Sequence, residues 1–185
     1  IHEMHHRKKK DSPSGTALSL AEAVLDFVAG RLEVALRDMD LAYDVVAAAL
    51  AARAGNPTRA MQTARQLAAW VEREDWSLLL DNYARCVRIT RDQPRLNLVG
   101  TDLVEDAERD LRQALRVAEA DVSPEGDVDA LMMAFVPLVP HIQRFFDEVL
   151  VMADDEVLRR ARLALLQRVA ALAEGIVDLS KLEGF

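Results

Sequence analysis

An all-α fold is predicted, a bundle of about seven or eight helices, on three observations. Apolar residues recur at spacings of three and four almost everywhere after Thr16 and nowhere alternate for long. Only seven glycines and six prolines punctuate the 185 residues, and alanine, leucine and arginine, good helix formers, dominate the rest. The chain is 51% hydrophobic and 29% charged, a balance that suits one well-cored domain with a short appendage rather than a disordered chain.

The first helix is expected from about Thr16 to Arg37, with Ser12 or Ser14 available as N-cap and Pro13 suited to a first turn. A second spans about Leu41 to Ala54 and stops at Gly55. Asn56 and Pro57 supply a cap and a proline start for a third, ending near Arg73. Asp75 is expected to cap a fourth, from Trp76 to about Arg91. Residues 92–100 form the clearest loop. Asp102 with Glu105 suggests a capping box opening a fifth helix to about Ala120. A turn over Ser123–Gly126 precedes a short sixth helix, and Pro137 and Pro140 mark the start of a seventh through Met152. Asp154 and Asp155 place negative charge at the N-terminus of the last helix, where the dipole favours it. That helix carries an apolar seam, Leu158, Ala161, Leu165, Val169, Leu172, Ile176 and Leu179, which predicts packing against neighbouring helices.

Charge narrows the function classes. The net charge is −8, which argues against indiscriminate nucleic-acid binding but leaves room for a local basic stripe. Residues 1–16 carry Arg7, Lys8, Lys9 and Lys10 against Glu3 and Asp11, and are read as a basic extension, disordered or fused, ahead of a helical domain over residues 17–185. The single cysteine, Cys86, excludes an internal disulfide framework and points to the reducing cytoplasm. No apolar run is long enough for a membrane span, and no signal peptide is recognisable. The chain begins at Ile1 rather than methionine, which suggests a fragment or a processed chain.

His2, Glu3 and His6 form a literal H-E-x-x-H, the zinc-protease pattern. No metal site is expected from it. The pattern needs a stable helix, whereas four basic residues and a proline follow at once, and their charge opposes a nearby dication. The wider string, Glu3, His5, His6, Arg7, Lys9, Asp11, Pro13, Ser14, Gly15, Thr16 and Ala17, closely resembles the signature of dihydrodipicolinate reductase (4-hydroxy-tetrahydrodipicolinate reductase), an enzyme of lysine biosynthesis. The resemblance implies that His5 and Lys9 support proton donation. It implies that His6 adds charge toward a dicarboxylate, and that Ser14, Gly15 and Thr16 hold a carboxylate at a helix N-terminus. That family needs NAD(P)H on a glycine-rich βαβ unit. The chain has no G-x-G-x-x-G and no strand pattern after Ala17. As a reductase fragment it would require a separate nucleotide-binding domain.

From about Phe27 onward the chain resembles a different family, the C-terminal region of the bacterial glycyl-tRNA synthetase β subunit. The residues that carry this are Phe27, Arg31 and Leu32, then Tyr43–Leu50, Tyr83–Asp92 and, most specifically, Phe145–Leu166. The chain departs from the family's usual run over Arg85–Thr90 and at Ala161, where polar positions are apolar or sulfur. The resemblance implies an all-helical anticodon-binding domain of the DALR type within a class II ligase. Its implied partners are tRNA(Gly) and the remainder of the synthetase, either an α subunit or a fused α part. No cofactor and no catalysis in isolation are implied. A helical interaction module without an RNA role is the third reading.

Independently of that likeness, Arg85, Arg88 and Arg91 lie at i, i+3 and i+6 in one sector of the fourth helix, with Arg95 in the following loop. Arg159 and Arg162 are likewise three apart. Guanidinium forks suit phosphates, and such contacts position RNA without reading its sequence. The competing reading is a solvated helix face with intrahelical ion pairs. Tyr83, Trp76 and His141 are candidates to stack on unpaired bases, although core packing is the commoner fate of Trp70, Trp76, Phe145 and Phe146. Cys86 is expected to be a small buried apolar residue.

Overall fold

The computed structural model describes residues 15–99 and 102–185, with side chains from Ser19 onward except at residues 21 and 22. Among the described residues there are eight α-helices and no strand: α1 (Gly15–Arg37), α2 (Tyr43–Arg53), α3 (Pro57–Val71), α4 (Trp76–Thr90), α5 (Asp106–Asp121), α6 (Val128–Phe135), α7 (Val139–Glu148) and α8 (Glu156–Ala171). Two 3-10 turns, Val136–Leu138 and Leu179–Lys181, complete the order. No described helix is long and apolar enough to cross a membrane.

Local chemistry sets most boundaries. Asp40 takes a left-handed conformation, φ 60°, between α1 and α2, a geometry that a short polar side chain tolerates. The Asn56 side chain accepts the Arg59 backbone N–H at 3.1 Å, with Pro57 opening α3. Asp127 caps α6 through the Ala130 N–H, 2.9 Å, and this bond, first among several, lowers its carboxyl pKa. Asp155 accepts the N–H groups of Val157 and Leu158 at the start of α8.

Three sequence expectations are corrected. Asp75 makes no cap: both carboxylate oxygens take the Arg73 guanidinium at 2.8 Å. The fifth helix opens at Asp106 rather than near Asp102, because Glu108 reaches back to the N–H groups of Val104, 2.6 Å, and Glu105, 2.8 Å. The last helix ends at Ala171, and Gly175 turns the chain with φ 75°. The end of the predicted seam therefore lies in the C-terminal tail, where Leu172, Ile176 and Leu179 are still buried.

α2 packs on α3, α4 on α8 and α7, and α5 on α6 and α7, around one continuous core. The indole N–H of Trp70 donates to Asp129 at 2.8 Å, tying α3 to α6. The tail after α8 crosses α2, where the Asp178 N–H donates to Ala48 O at 3.1 Å and the Glu183 N–H to Asp44 Oδ2 at 3.0 Å. It ends against α4, with the Phe185 ring 6.3 Å from that of Tyr83. Among the described side chains of α1, those that join this core lie in its C-terminal part. Leu32 and Leu36 are buried beneath α2 and α3, whereas Leu20, Val24, Leu25 and Phe27 are exposed.

Burial sorts the expected stability of α1. Leu36→Ala, at a fully buried position, costs about 2–5 kcal/mol. Phe27→Ala, at a side chain 69% exposed, stays within about 0.5 kcal/mol of the unaltered chain. Urea denaturation of the two variants checks both, and equal losses would place Phe27 in the core.

Candidate nucleic-acid interface

α4 is amphipathic. Leu79, Leu80, Ala84 and Cys86 face the core, so the sector bearing Arg85, Arg88 and Arg91 is turned to solvent. None of these three guanidiniums is paired with a carboxylate among the described residues. Arg85 lies over the ring of Phe146 on α7, with its guanidinium carbon 4.1 Å from the centroid. Arg88 lies over the ring of Phe185 in the tail at 5.6 Å. Arg91 stands exposed just past the last residue of α4. Asp81 and Asp147 line the cleft beside Arg85, a cavity of about 410 Å³ shared with Asn82 and Gln143, yet neither closes an ion pair with it.

Arg95 continues this cationic surface into the loop between α4 and α5. The side-chain amide of Gln167 on α8 holds that loop from both sides, accepting the Leu96 N–H and donating to Pro94 O, each at 2.9 Å. Arg95 is thereby held at the junction of three adjoining cavities of about 270, 520 and 400 Å³. Among the described residues its ion pair is long, 3.7 Å to Glu174, with both side chains largely exposed, and contributes little.

In the second arginine set, Arg162 does not face solvent, contrary to the sequence expectation of an RNA contact there, and Arg159 is half-buried. Arg162 is 4% exposed. Its Nε donates to Glu108, which is also buried, its Nη1 donates to Leu150 O at 2.9 Å, and Nη2 lies 3.8 Å from Glu105. Arg159 is half-buried and donates to Ala153 O at 2.8 Å. Both cations hold the α7–α8 connection to α8, and the buried Arg162 is engaged through Nε, Nη1 and Nη2 within the fold. Among the candidate stacking residues, Trp76 is buried and Tyr83 is enclosed between Phe135 and Phe185 with its hydroxyl donating to Ala170 O at 3.0 Å. Burial raises the Tyr83 pKa and pushes the Cys86 thiol up to about 12, so Cys86 stays a protonated, apolar filler at neutral pH. His141 is half-buried in the first turn of α7.

His5, His6, Lys9 and Ser14 lie outside the described residues. Gly15 and Thr16 open α1. Phe146, Phe185 and Gln167, which touch the exposed arginines or their loop, carry no sequence signal of that role. Their pairing with α4 or with the loop that follows it arises across 60 or more positions of sequence.

Among the described residues the fold is all-helical, and α4 presents exposed arginines that no described carboxylate pairs. The chain's relatives are glycine–tRNA ligases. The chain is 35% identical to the glycine–tRNA ligase β subunit of Moorella thermoacetica over 165 residues, 87% of this chain and 24% of that protein. It is 36% identical over 176 residues to the β subunit of Anaeromyxobacter dehalogenans strain 2CP-C, 92% of this chain and 25% of that protein. It is 32% identical over 178 residues to the chloroplastic/mitochondrial glycine–tRNA ligase 2 of Arabidopsis thaliana, 94% of this chain and 16% of that protein. The chain thus spans about a quarter of the bacterial relatives or less.

The family model described as dihydrodipicolinate reductase, C-terminus, matches residues 1–83. This reaches well beyond the stretch ending at Ala17 on which that likeness rested. In the structure the described part of residues 1–83 is helical, and α2, α3 and α4 share one core with α5–α8.

Proposed function

We propose that this chain is the tRNA-contacting helical domain of a glycine–tRNA ligase β chain, gripping tRNA(Gly) near its anticodon and supporting aminoacylation by a catalytic centre elsewhere in the synthetase. The observation that carries the reading is the likeness to glycine–tRNA ligase β subunits across some nine-tenths of the chain. The row Arg85, Arg88, Arg91 and Arg95 supports it physically. All four are exposed on an otherwise acidic protein; Arg85, Arg88 and Arg91 pair with no carboxylate among the described residues, and Arg95 is held only by a long, exposed pair with Glu174. The partners are tRNA(Gly) and the remainder of the synthetase. No cofactor enters this role.

Fluorescence anisotropy of labelled tRNA(Gly) across a salt series, beside a tRNA altered only in its anticodon, tests the reading. Tighter binding of the native anticodon is the expected result. Equal binding of the two would leave only backbone contact, and no binding at low salt would remove the RNA role.

The match over residues 1–83 favours a second reading, a reductase substrate-binding segment using His5, His6, Lys9, Ser14, Gly15 and Thr16. The residues present do not fit the NAD(P)H that such a reaction uses. The sequence contains no glycine-rich βαβ unit, and the described residues include no strand. A separate nucleotide-binding domain would have to supply it. NAD(P)H-dependent turnover abolished by His5→Ala would establish this reading over the first.

A further inference from the structure

The exposed arginines of α4 differ from most others in the described structure in what holds them. Arg73 also lies over a ring, that of Trp70 at 4.5 Å, but it gives two N–H groups to Asp75. Arg37, Arg59, Arg109, Arg144 and Arg168 are each held by a carboxylate. Arg85 and Arg88 are held by rings alone, Phe146 of α7 and Phe185 of the tail. The distinction matters chemically. A carboxylate uses the in-plane N–H donors of a guanidinium, which are the groups a phosphate needs. A ring engages the guanidinium face and leaves the edge donors free.

We infer that Phe146 and Phe185 are positioning residues for RNA contact: each fixes an α4 arginine by its face so that the N–H edge of Arg85 or Arg88 is presented, already ordered, to a backbone phosphate. This deepens the tRNA reading above and rests on it. Phe146 is braced for the task. It is half-buried and packs edge-on against the fully buried Phe145, centroids 5.7 Å apart at 85°. Phe185 is braced by Tyr83, whose hydroxyl is fixed on Ala170 O. Both rings therefore sit on core residues and not on mobile surface. A free arginine loses several rotatable bonds' worth of freedom when it grips a phosphate, and a stacked one has already lost much of it. The ligand at these two positions is the phosphate diester backbone, so the contribution is to affinity and not to base choice.

The test measures tRNA(Gly) binding by the unaltered chain and by Phe146→Leu, Phe146→Trp, Phe185→Leu, Phe185→Trp and Arg85→Ala across a salt series, with a thermal melt of each. Each leucine variant is expected to bind roughly two- to five-fold more weakly, with the slope of log affinity against log salt unchanged, because no charge is lost. The tryptophan variants restore binding, since indole is the better cation-binding face. Arg85→Ala instead lowers the slope by about 0.7–0.9, one phosphate's share. Leucine variants that bind like the unaltered chain while Arg85→Ala weakens it would overturn the positioning role and leave the RNA reading intact. Leucine variants that weaken binding without rescue by tryptophan would also overturn it, as loss of packing alone. Absence of salt-dependent binding by the unaltered chain would remove the RNA reading and this inference with it.

Discussion

Glu108→Ala lowers the stability of the domain by about 3–5 kcal/mol, the cost of leaving one charge of a buried pair without its partner. For a chain of this length that is a fall in Tm of roughly 10–15 °C. The carboxylate does three things at once. It takes the Arg162 guanidinium, and it accepts the N–H groups of Val104 and Glu105 that open α5. Removing it strands a guanidinium that is 4% exposed and frees two backbone donors at a helix start. Arg162→Ala has an effect of the same size, and it also orphans Leu150 O, which Arg162 holds at 2.9 Å. The pair need not be net stabilising against an apolar substitute. Glu108→Leu with Arg162→Met is expected to lose far less than either single change. Urea denaturation of Glu108→Leu, Arg162→Met and their combination closes a double-mutant cycle that measures this. A loss below about 1 kcal/mol for Glu108→Ala would mean that water reaches the pair.

On the proposed tRNA-contacting reading, the combined replacement Arg85→Ala, Arg88→Ala, Arg91→Ala weakens tRNA(Gly) binding about a hundred-fold at physiological salt. Each phosphate contact releases about one counterion, worth on the order of 1 kcal/mol there, and the slope of log affinity against log salt falls by about 2–3. Stability changes little, since all three side chains are exposed and none is paired with a carboxylate in the described structure. An unchanged slope would move the RNA interface elsewhere on the molecule. The contrast with Arg162 is informative in one assay. Arg162→Ala weakens binding only as far as it unfolds the domain, so a stabilising condition that restores the fold restores binding as well.

Both arginine groups follow from the same logic, a spacing of three on a helix, yet Arg85, Arg88 and Arg91 are exposed whereas Arg162 is buried. The reason lies in what spacing encodes. Periodicity says that Arg159 and Arg162 share a face with one another, not which way that face points. α8 is flanked by both α4 and α5, and Ala161, Arg162, Leu163, Ala164, Leu165 and Leu166 are buried in succession. Every position of that run is enclosed, so Arg162 within it is matched internally by a carboxylate from another helix, whereas Arg160 and Arg168 on the same helix lie outside the run and are exposed. The partner, Glu108, is 54 residues away, and nothing local marks it. α4 by contrast keeps a polar flank, and its arginines fall on it.

The all-helical class and the approximate extent of eight helices were legible in the chain itself. So were the cap at Asn56, the acidic start of α8 at Asp155, and the inward placement of Trp70, Phe145 and Cys86, because short-range sterics, capping chemistry and apolar periodicity act over a few residues. Tertiary structure alone decided where α8 stops being a helix while its seam stays buried, since the tail is held by α2 backbone and by Asp44 rather than by its own turns. It also decided which half of α1 is core, which arginines are free for a phosphate, and that Phe146, Phe185 and Gln167 hold them. Each of those outcomes depends on contacts between elements far apart in sequence. Such contacts are settled by how helix faces pack and by which buried charges find partners, and no local pattern of residues carries that information.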